Sequence, residues 1–244
     1  MAAKRLTIIT SATGFPVGGG MHLDKKFVAG MERYTSSWDG PVRCLIPSHP
    51  RQQPFGGVFL PEELPFEARL FASARDELAA TMSDTDVALI SGDNADYLFL
   101  ADLCRNTKTA VAFTIEYTLK TRMQINSLDS SRSALRKLRG ALWLLSVERR
   151  RRAAFRKAAG LQANGYPAFE AFRPLNPSTI WYLDNRMDDD ICATPDEQSR
   201  RHAHLTDGGP LRLLHSGRLE AMKGSQDLVP IARALRDRGV DFHL

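Results

Sequence analysis

Short, nearly continuous apolar runs alternate with segments of helical periodicity, and this alternation limits the possible folds more than any other feature of the chain. The apolar runs read RLTIIT, PVRCLIP, TDVALISG, KTAVAFTIEY and STIWYL. The periodicity predicts helices over residues 23–37, 65–82, 94–106, 131–158 and 166–173. Strands that are apolar on both faces and alternate with helices form a parallel sheet covered on both sides. The sequence therefore predicts an α/β fold built on a doubly wound, Rossmann-like parallel sheet.

The alternation stops at residues 186–210 and then starts again. This stretch, RMDDDICATPDEQSRRHAHLTDGGP, has no apolar periodicity and ends in Gly-Gly-Pro, which indicates a linker. We therefore expect an amino-terminal domain over residues 1–185 and a second α/β domain that begins at residue 211. A βαβ unit takes roughly 30 residues, so residues 211–244 hold only one such unit. We expect this second domain to be incomplete and the chain to be a fragment of a longer protein.

The three cysteines, Cys44, Cys104 and Cys192, lie far apart and form no CxxC pair. This spacing argues against a zinc site and a disulfide framework, and it favours reduced thiols in a cytoplasmic protein. The apolar run LTIIT is shorter than the core of a signal peptide, which takes about 7–15 residues. No stretch reaches the ~18 apolar residues of a membrane-spanning helix. We therefore expect a cytoplasmic location.

The positive charge of the chain is concentrated in one segment. Residues 131–158 contain ten Lys and Arg side chains and one acid, Glu148, so the segment carries +9. Because the whole chain carries +5, the remainder carries −4. Basic residues therefore do not coat the whole surface, and we expect no nucleic-acid partner.

A glycine-rich stretch, GFPVGGG at residues 14–20, directly follows the first apolar run. Ligands of doubly wound sheets bind beyond the carboxyl ends of the strands, and consecutive glycines let backbone N–H groups approach a phosphate. The spacing excludes the GxGxxG motif, which needs glycine where Leu23 stands, and the Walker A motif, which needs Lys-Ser/Thr after the glycines. We predict that Gly18, Gly19 and Gly20 contact ligand phosphates. A flexible surface turn is the alternative.

The stretch LHSGRLEAMKGSQDLVPIA at residues 214–232 has a related chemistry. Gly217 allows a turn after a strand, and we expect a helix to begin near Ala221, with Arg218 and Lys223 on either side of its start. The free N–H groups of a helix N-terminus attract anions, while Arg adds a bidentate donor and Lys a point charge. These residues are therefore predicted to hold a diphosphate. Two solvated basic residues on a surface turn are the alternative.

The segment SGRLEAMKGSQDLVPIARAL resembles the G-R-L-x(3–4)-K-G stretch that opens the second domain of retaining GT-B glycosyltransferases of family 4. The resemblance implies that Arg218 and Lys223 hold the diphosphate of a nucleotide-sugar donor. It also implies that Gly18–Gly20 match the family's loop near the donor phosphates. The acceptor would be a hydroxyl of a sugar or of a lipid-linked molecule. Enzymes of this kind generally need no metal, so the resemblance implies no cofactor.

The stretch TIEYTLKTRMQ at residues 114–124 ends a central strand and opens into the predicted cleft. Glu116 stands near the place where the resembled family often carries a His close to the acceptor. A carboxylate there accepts hydrogen bonds from acceptor hydroxyls or assists proton transfer, so we predict a catalytic role for Glu116. The alternative is an ion pair with Lys120 four residues on, which contributes little. Asp93, at the end of VALISGD, is a second candidate of the same kind.

Asp188 and Asp190 form an Asp-x-Asp pair in the stretch MDDD. Such a pair binds a metal–nucleotide complex in GT-A transferases. The pattern is short and common, and here it falls in the predicted linker. We therefore expect no metal site.

The basic segment combines a leucine face with a basic face. Four leucines share one helical face at spacings of 3, 4 and 3: Leu135, Leu138, Leu142 and Leu145. We expect this face to pack on the core. Another side carries one tryptophan and three arginines: Trp143, Arg136, Arg139 and Arg150. Arginines around an exposed Trp suit an anionic membrane surface, so we expect peripheral membrane contact through residues 131–158; a solvated helix whose Trp meets a loop is the alternative.

The main functional hypothesis is a glycosyltransferase of polysaccharide or glycolipid synthesis. One rival is a nucleotide-sugar epimerase of the same GT-B architecture. The other is a non-catalytic domain that binds the acceptor or a membrane surface. Because the segment that would grip the donor lies outside these 244 residues, we expect the chain alone to be inactive.

Overall fold

The computed structural model describes residues 3–50, 55–72, 75–184, 191–217, 219 and 223–244, and the structural statements below concern these residues. The chain divides into two units. The first comprises residues 1–122 and 142–184, and the second comprises residues 123–141 and 185–244.

The first unit contains two sheets. Its strands are β1 (Leu6–Ile9), β2 (Phe15–Val17), β3 (Gly20–Asp24), β4 (Val42–Pro47), β5 (Gly56–Phe59), β6 (Glu67–Phe71), β7 (Val87–Ser91), β8 (Ala110–Ile115), β9 (Gly160–Asn164) and β10 (Thr179–Tyr182). The helices between them are α1 (Lys25–Ser37), α2 (Arg75–Thr81), α3 (Leu100–Leu103), α4 (Leu119–Leu128), α5 (Ala134–Lys157) and α6 (Tyr166–Phe172). Helix α4 ends in the second unit, and helix α5 begins there.

The main sheet has seven parallel strands in the order β10-β9-β8-β7-β1-β4-β6. From β1 the chain runs outward through β4 to β6, and it then returns to the other side of β1 with β7. The strand order therefore reverses between β1 and β7, which is the topological switch point of a doubly wound sheet. The predicted α/β fold class is confirmed.

Neighbouring residues of the central strands pack on opposite faces of this sheet, as the pleat of a strand requires. Ile9 and Ile90 belong to one core cluster, whereas Ile8 and Leu89 belong to the other. Both clusters are buried, because α1 covers one face and α5, with the shorter helices α2, α3 and α6, covers the other. Full burial of one such side chain stabilises the fold by about 1.5–3 kcal/mol.

Strand β6 corrects the helix predicted over residues 65–82. Within that range the chain forms β6 and then, after a short gap, α2. Glu67 and Arg69 are exposed, whereas Ala68 and Leu70 pack against the core, so the segment alternates with a period of two. Because β6 is an edge strand, its sequence shows only this weak alternation of exposed and packed residues. The apolar residues of the helix that follows have helical spacing, and the prediction extended that helix back over the strand.

The leucine face of α5 does not pack on the core, contrary to expectation. Its leucines are 57%, 58%, 60% and 44% exposed, in the order Leu135, Leu138, Leu142 and Leu145. The helix is buried instead through a face that includes Leu144, Val147, Arg151 and Phe155. This face has the same 3–4 spacing, but a fully buried arginine at its centre conceals it in the sequence.

In the second unit, helix α7 (Pro195–Thr206) occupies the stretch predicted to be a linker. The side chain of Thr194 accepts a hydrogen bond from the N–H of Glu197, and the Glu197 carboxylate accepts one from the N–H of Thr194, which is a capping box. Pro195 at the first turn also favours helix initiation. The helix has no buried residue, so its capping residues mark it in the sequence and apolar periodicity does not.

After α7 the chain forms one small βαβ element. Strands β11 (Leu211–Arg212) and β12 (Phe242–His243) pair in parallel, and α8 (Leu228–Asp237) lies between them in the chain. The predicted helix start near Ala221 falls outside the described residues, but α8 itself begins at Leu228. Gly224 adopts a left-handed conformation, with φ of 74°, which a continuous helix does not allow.

Candidate functional site

The carboxyl edge of the main sheet carries two of the polar side chains that the sequence analysis singled out. Asp93 follows β7, which borders the switch point, and Glu116 follows β8, the next strand. The β2–β3 hairpin follows β1 on the other side of the switch point. Ligands of doubly wound sheets bind at this edge near the switch point, so these loops define the candidate site.

A fully buried arginine fixes the two central loops. The guanidinium of Arg151 donates from Nε to the carbonyl oxygen of Gly92 (3.0 Å) and from Nη2 to the carbonyl oxygen of Tyr117 (3.0 Å). It also donates to Oδ1 of Asp93 and to Oε2 of Glu148, both at 2.9 Å. Two carboxylates thus surround one cation, and the loops after β7 and β8 share a single fixed donor.

Asp93 links Arg151 to the backbone of Glu116. While its Oδ1 accepts from Arg151, its Oδ2 accepts from the backbone N–H of Glu116 at 2.6 Å. Glu116 is exposed and stands three residues before the start of α4. The arrangement holds the backbone of this exposed residue at the carboxyl edge of the sheet.

Arg122, on α4, brings a second cation close to this network. Its Nη1 is buried and has no hydrogen-bond partner in the described part of the chain. Burial lowers the pKa of Arg122, the charge of Arg151 lowers it further, and Asp93 and Glu148 oppose the shift. An anionic ligand group would relieve both the missing hydrogen bond and the repulsion between the two cations.

Two half-buried tyrosines lie within electrostatic range of acidic side chains of the first unit. Burial raises the pKa of Tyr182, at the end of β10, to about 12, and negative charge from groups that include Asp184, Glu116 and Asp93 adds to the shift. Burial and the charge of Asp184 also raise the pKa of Tyr34, on α1. Both phenols therefore stay protonated at neutral pH and can donate and accept hydrogen bonds.

Sequence reasoning missed Arg151, Tyr34 and Tyr182. Arg151 is one of four consecutive arginines, Arg149–Arg152, and only its place on the buried face of α5 distinguishes it. Tyr182 lies at the end of a predicted strand, which was a usable signal. Tyr34 lies on a helix, and nothing in its local sequence marks it.

The glycine stretch forms a hairpin tip. Gly18 and Gly19 have φ of 54° and 85° and connect β2 to β3, which matches a two-residue hairpin turn. Both are exposed, and an added Cβ would meet no atom within 4 Å. Gly20 is buried in β3, where an added Cβ would lie 2.6 Å from the carbonyl oxygen of Phe59. Strand packing thus requires Gly20, while phosphate contact by the three glycines stays a prediction.

The predicted diphosphate residues are described only in part. Arg218 lies outside the described residues, as do Asp188 and Asp190. Lys223 is exposed, and its carbonyl oxygen lies 3.3 Å from Nε2 of His215. It stands five residues before α8, so it does not lie at the start of that helix as expected. Among the described residues, no three His, Cys, Asp or Glu side chains form a group able to hold a metal ion.

Comparisons with known proteins give only distant similarities. No family model matches the chain, and no curated protein matches it. Several solved structures of plant UGT glycosyltransferases align with it. UGT2 of Phytolacca americana, in its apo form, is 12% identical with a TM-score of 0.49, and the alignment covers 98% of this chain and 63% of UGT2.

Two further structures are similar at the same level. Glycyrrhiza uralensis UGT73P12, complexed with glycyrrhetinic acid 3-O-monoglucuronide, is 11% identical with a TM-score of 0.44, covering 99% of this chain and 62% of that one. Arabidopsis thaliana UGT89C1, complexed with UDP-L-rhamnose, is 11% identical with a TM-score of 0.44, covering 97% and 64%. This chain spans less than two thirds of each. Such similarity assigns no substrate or site residue here, and the resemblance to family 4 stays a prediction.

The described part of the chain contains no helix with both the length and the apolar character needed to cross a bilayer.

Proposed function

We propose that the first unit is the acceptor-side domain of a GT-B glycosyltransferase similar to family 4, which transfers a sugar from a nucleotide-sugar to a hydroxyl acceptor. One observation carries this proposal. The backbone of Glu116 is fixed through Asp93 by the fully buried Arg151, next to the switch point of a doubly wound sheet. Such fixed placement of an exposed carboxylate at a ligand-binding edge suits catalysis better than a surface ion pair.

In this proposal Glu116 acts on the acceptor. Its carboxylate accepts the hydrogen bond of the acceptor hydroxyl and orients the oxygen toward the sugar carbon to be attacked. As the new carbon–oxygen bond forms, the hydroxyl proton passes to the Glu116 carboxylate, while the bond to the nucleoside diphosphate breaks and its electron pair leaves with the phosphate. Positioned acid–base groups contribute typically 10²–10⁴-fold to such steps.

Tyr34 and Tyr182 would hold other hydroxyls of the acceptor. Their raised pKa values keep both phenols neutral, so they add hydrogen bonds without adding negative charge beside Asp93, Glu116 and Asp184. A sugar hydroxyl is both a donor and an acceptor, and a mixture of phenols and carboxylates matches it.

The donor side of the proposal rests on the resemblance. Gly18–Gly20, Arg218 and Lys223 would contact the donor diphosphate without a metal, in the synthesis of a polysaccharide or a glycolipid. Two charge-assisted contacts contribute roughly 1.5–3 kcal/mol each at best. A dissociation constant of 1 mM corresponds to about 4 kcal/mol. We therefore expect residues 1–244 to bind UDP- or GDP-sugars only at millimolar concentration or more weakly and to transfer no sugar, and calorimetry tests this affinity.

Acceptor binding by the same 244-residue chain tests the proposal directly. Saturation-transfer NMR with methyl glycosides of common hexoses should detect binding, and Glu116→Gln and Tyr182→Phe should each weaken it several-fold. Glu62→Gln removes another exposed carboxylate, from a short helix between β5 and β6, and should leave acceptor binding unchanged. Equal binding by the wild type and Glu116→Gln would contradict the assignment.

The same chain distinguishes the two rivals. An epimerase would convert UDP-glucose into an epimer without any acceptor, which chromatography of the nucleotide-sugars detects. A non-catalytic acceptor-binding domain would bind the methyl glycosides but would stay inactive when joined to the donor-binding domain of a GT-B glycosyltransferase. A glycosyltransferase domain joined in this way would gain transfer activity that Glu116→Gln lowers.

A further inference from the structure

One line of side chains runs along the exposed side of α5. Within the first unit it consists of two leucines followed by three arginines, at alternating spacings of three and four residues: Leu142, Leu145, Arg149, Arg152 and Arg156. This spacing keeps side chains on a single face of a helix. We refer to this line as the leucine–arginine seam.

The seam points away from the core along its length. Leu142 and Leu145 are 60% and 44% exposed. Arg149 and Arg156 are exposed, and the side chain of Arg152 is 42% exposed with one long contact of 3.9 Å to Glu148. The buried residues of α5, among them Val147 and Arg151, lie on the opposite face. The seam therefore presents an apolar half and a cationic half to the same surroundings.

This order of side chains suits a lipid surface. Leucine reaches the boundary between headgroups and acyl chains, while arginine pairs with lipid phosphates one layer above. The surrounding charge agrees, because residues 131–158 carry ten Lys and Arg and one Glu. A second copy of the chain suits the seam less well, since in a parallel helix pair the three arginines of one copy would face those of the other.

We propose that the leucine–arginine seam of α5 docks on an anionic lipid bilayer, with the leucines inserted below the phosphates and the arginines bound to them. Trp143, which is 54% exposed, lies about 100° around the helix from Leu142, on the side of Arg139 and Arg150, so it stays outside the docking surface. This differs from the sequence-based expectation, in which Trp143 and the arginines beside it formed the membrane face. The docking requires no glycosyl transfer and is tested without it.

Vesicle binding tests the proposal with the complete 244-residue chain. Co-sedimentation is measured with vesicles of phosphatidylcholine alone and of phosphatidylcholine mixed with phosphatidylglycerol. We expect binding to the anionic vesicles only, weakened by salt. Replacing Leu142 and Leu145 by Gln should lower the partition coefficient about tenfold. Replacing Arg149, Arg152 and Arg156 by Gln should lower it roughly 100-fold, and Trp143→Ala should have the smallest effect.

Matched variants separate the seam from general electrostatics. Arg200→Gln, Arg201→Gln and Arg236→Gln remove the same charge from exposed positions on α7 and α8, and Leu103→Gln removes an exposed leucine from α3. Neither control should change binding, and circular dichroism should show every variant folded. Equal losses in the seam and control variants would overturn the proposal, as would equal binding to neutral and anionic vesicles. So would a dimer in sedimentation analysis that Leu142→Gln dissociates while vesicle binding persists, because a second copy would then cover the seam.

Discussion

Two buried arginines hold the two opposite edges of the same parallel sheet, and they do so with different kinds of partner. At the amino edge, Arg43 of β4 contacts Glu67 at 3.0 Å and Asp84 at 2.8 Å. At the carboxyl edge, Arg151 contacts two backbone carbonyl oxygens and two carboxylates. The first arginine joins side chains, whereas the second also fixes the course of two loops.

The exposure of the partners explains why the two networks should behave differently. The side chains of Glu67 and Asp84 are 42% and 49% exposed, so water can solvate them if Arg43 is lost. Glu148 and Asp93 are 8% and 18% exposed, so much of their desolvation would stay uncompensated without Arg151. The network at the amino edge thus contributes only to the stability of the fold, while the network at the carboxyl edge also sets the geometry of the candidate site.

Replacing Arg151 by Met should produce the largest effect. The change leaves two carboxylates and two carbonyl oxygens without their donor, so we expect a loss of about 3–5 kcal/mol in the free energy of unfolding. Urea denaturation followed by circular dichroism measures it. Arg150→Met, the exposed neighbour, should stay within ±0.5 kcal/mol. A loss below about 1 kcal/mol for Arg151→Met would remove the distinction between the two edges.

Replacing Arg43 by Met should cost less, about 1–3 kcal/mol, because its charged hydrogen-bond partners regain water. The same urea titration applies. Arg69→Met is the control, since Arg69 also contacts Glu67 but is 54% exposed, and we expect it to change stability by less than about 1 kcal/mol. If Arg43→Met proved as damaging as Arg151→Met, partner exposure would not be the deciding factor.

Acid should weaken the amino edge by a smaller amount. The hydrogen bond from Arg43 lowers the pKa of Asp84. Burial acts to raise the pKa of Glu67, but the hydrogen bond and charge of Arg43 outweigh it and the pKa is lowered. Because the folded state binds these protons less tightly, the stabilisation is present above the usual values of about 3.9 and 4.3 and is lost as the pH falls below them.

Unfolding free energies at neutral pH and near pH 3 measure this acid effect. Solvent screening limits the share of these two exposed carboxylates to less than about 1 kcal/mol. Arg43→Met should flatten the acid dependence by this amount. An unchanged slope would mean that other carboxylates account for it.

The smallest expected effect is spectroscopic and concerns the carboxyl edge. Since the pKa of Tyr182 is raised to about 12, Tyr182→Phe should remove tyrosinate absorbance near pH 12 and leave the absorbance near pH 10 unchanged. The folded state holds this proton more tightly, so its contribution to stability disappears as the pH rises from about 10 to about 12. If Tyr182→Phe instead removed tyrosinate absorbance near pH 10, Tyr182 would be neither buried nor close to the acidic groups of this edge.

The sequence was sufficient for the fold class because the buried strands carry their own signal. Strands β1, β4, β7 and β8 are apolar on both faces, and the prediction found each of them. Strand β9 was missed, since only Leu161 and Ala163 of its five residues are buried. The β2–β3 hairpin was missed because its glycines suggested a ligand loop.

The candidate site was predictable only where position follows from strand ends. Glu116 and Asp93 follow apolar runs, so parallel topology brings them to one edge. The contact of Arg151 with Asp93 joins residues 58 positions apart, and no local pattern indicates it. The leucines of α5 were wrongly predicted to pack on the core. Their helical spacing shows that they share one face of the helix, but it does not show whether the core or solvent covers that face.

The central position of β1 has a consequence for synthesis of the protein on the ribosome. Of the seven strands of this sheet β1 is made first, yet one of its two partners, β7, follows about 80 residues later. At about 5–20 residues per second, one side of β1 waits several seconds for its hydrogen bonds. During that time an apolar strand with an open edge is available to other chains. Efficient production should therefore depend on chaperones, or on β4 pairing early enough to leave only one edge open.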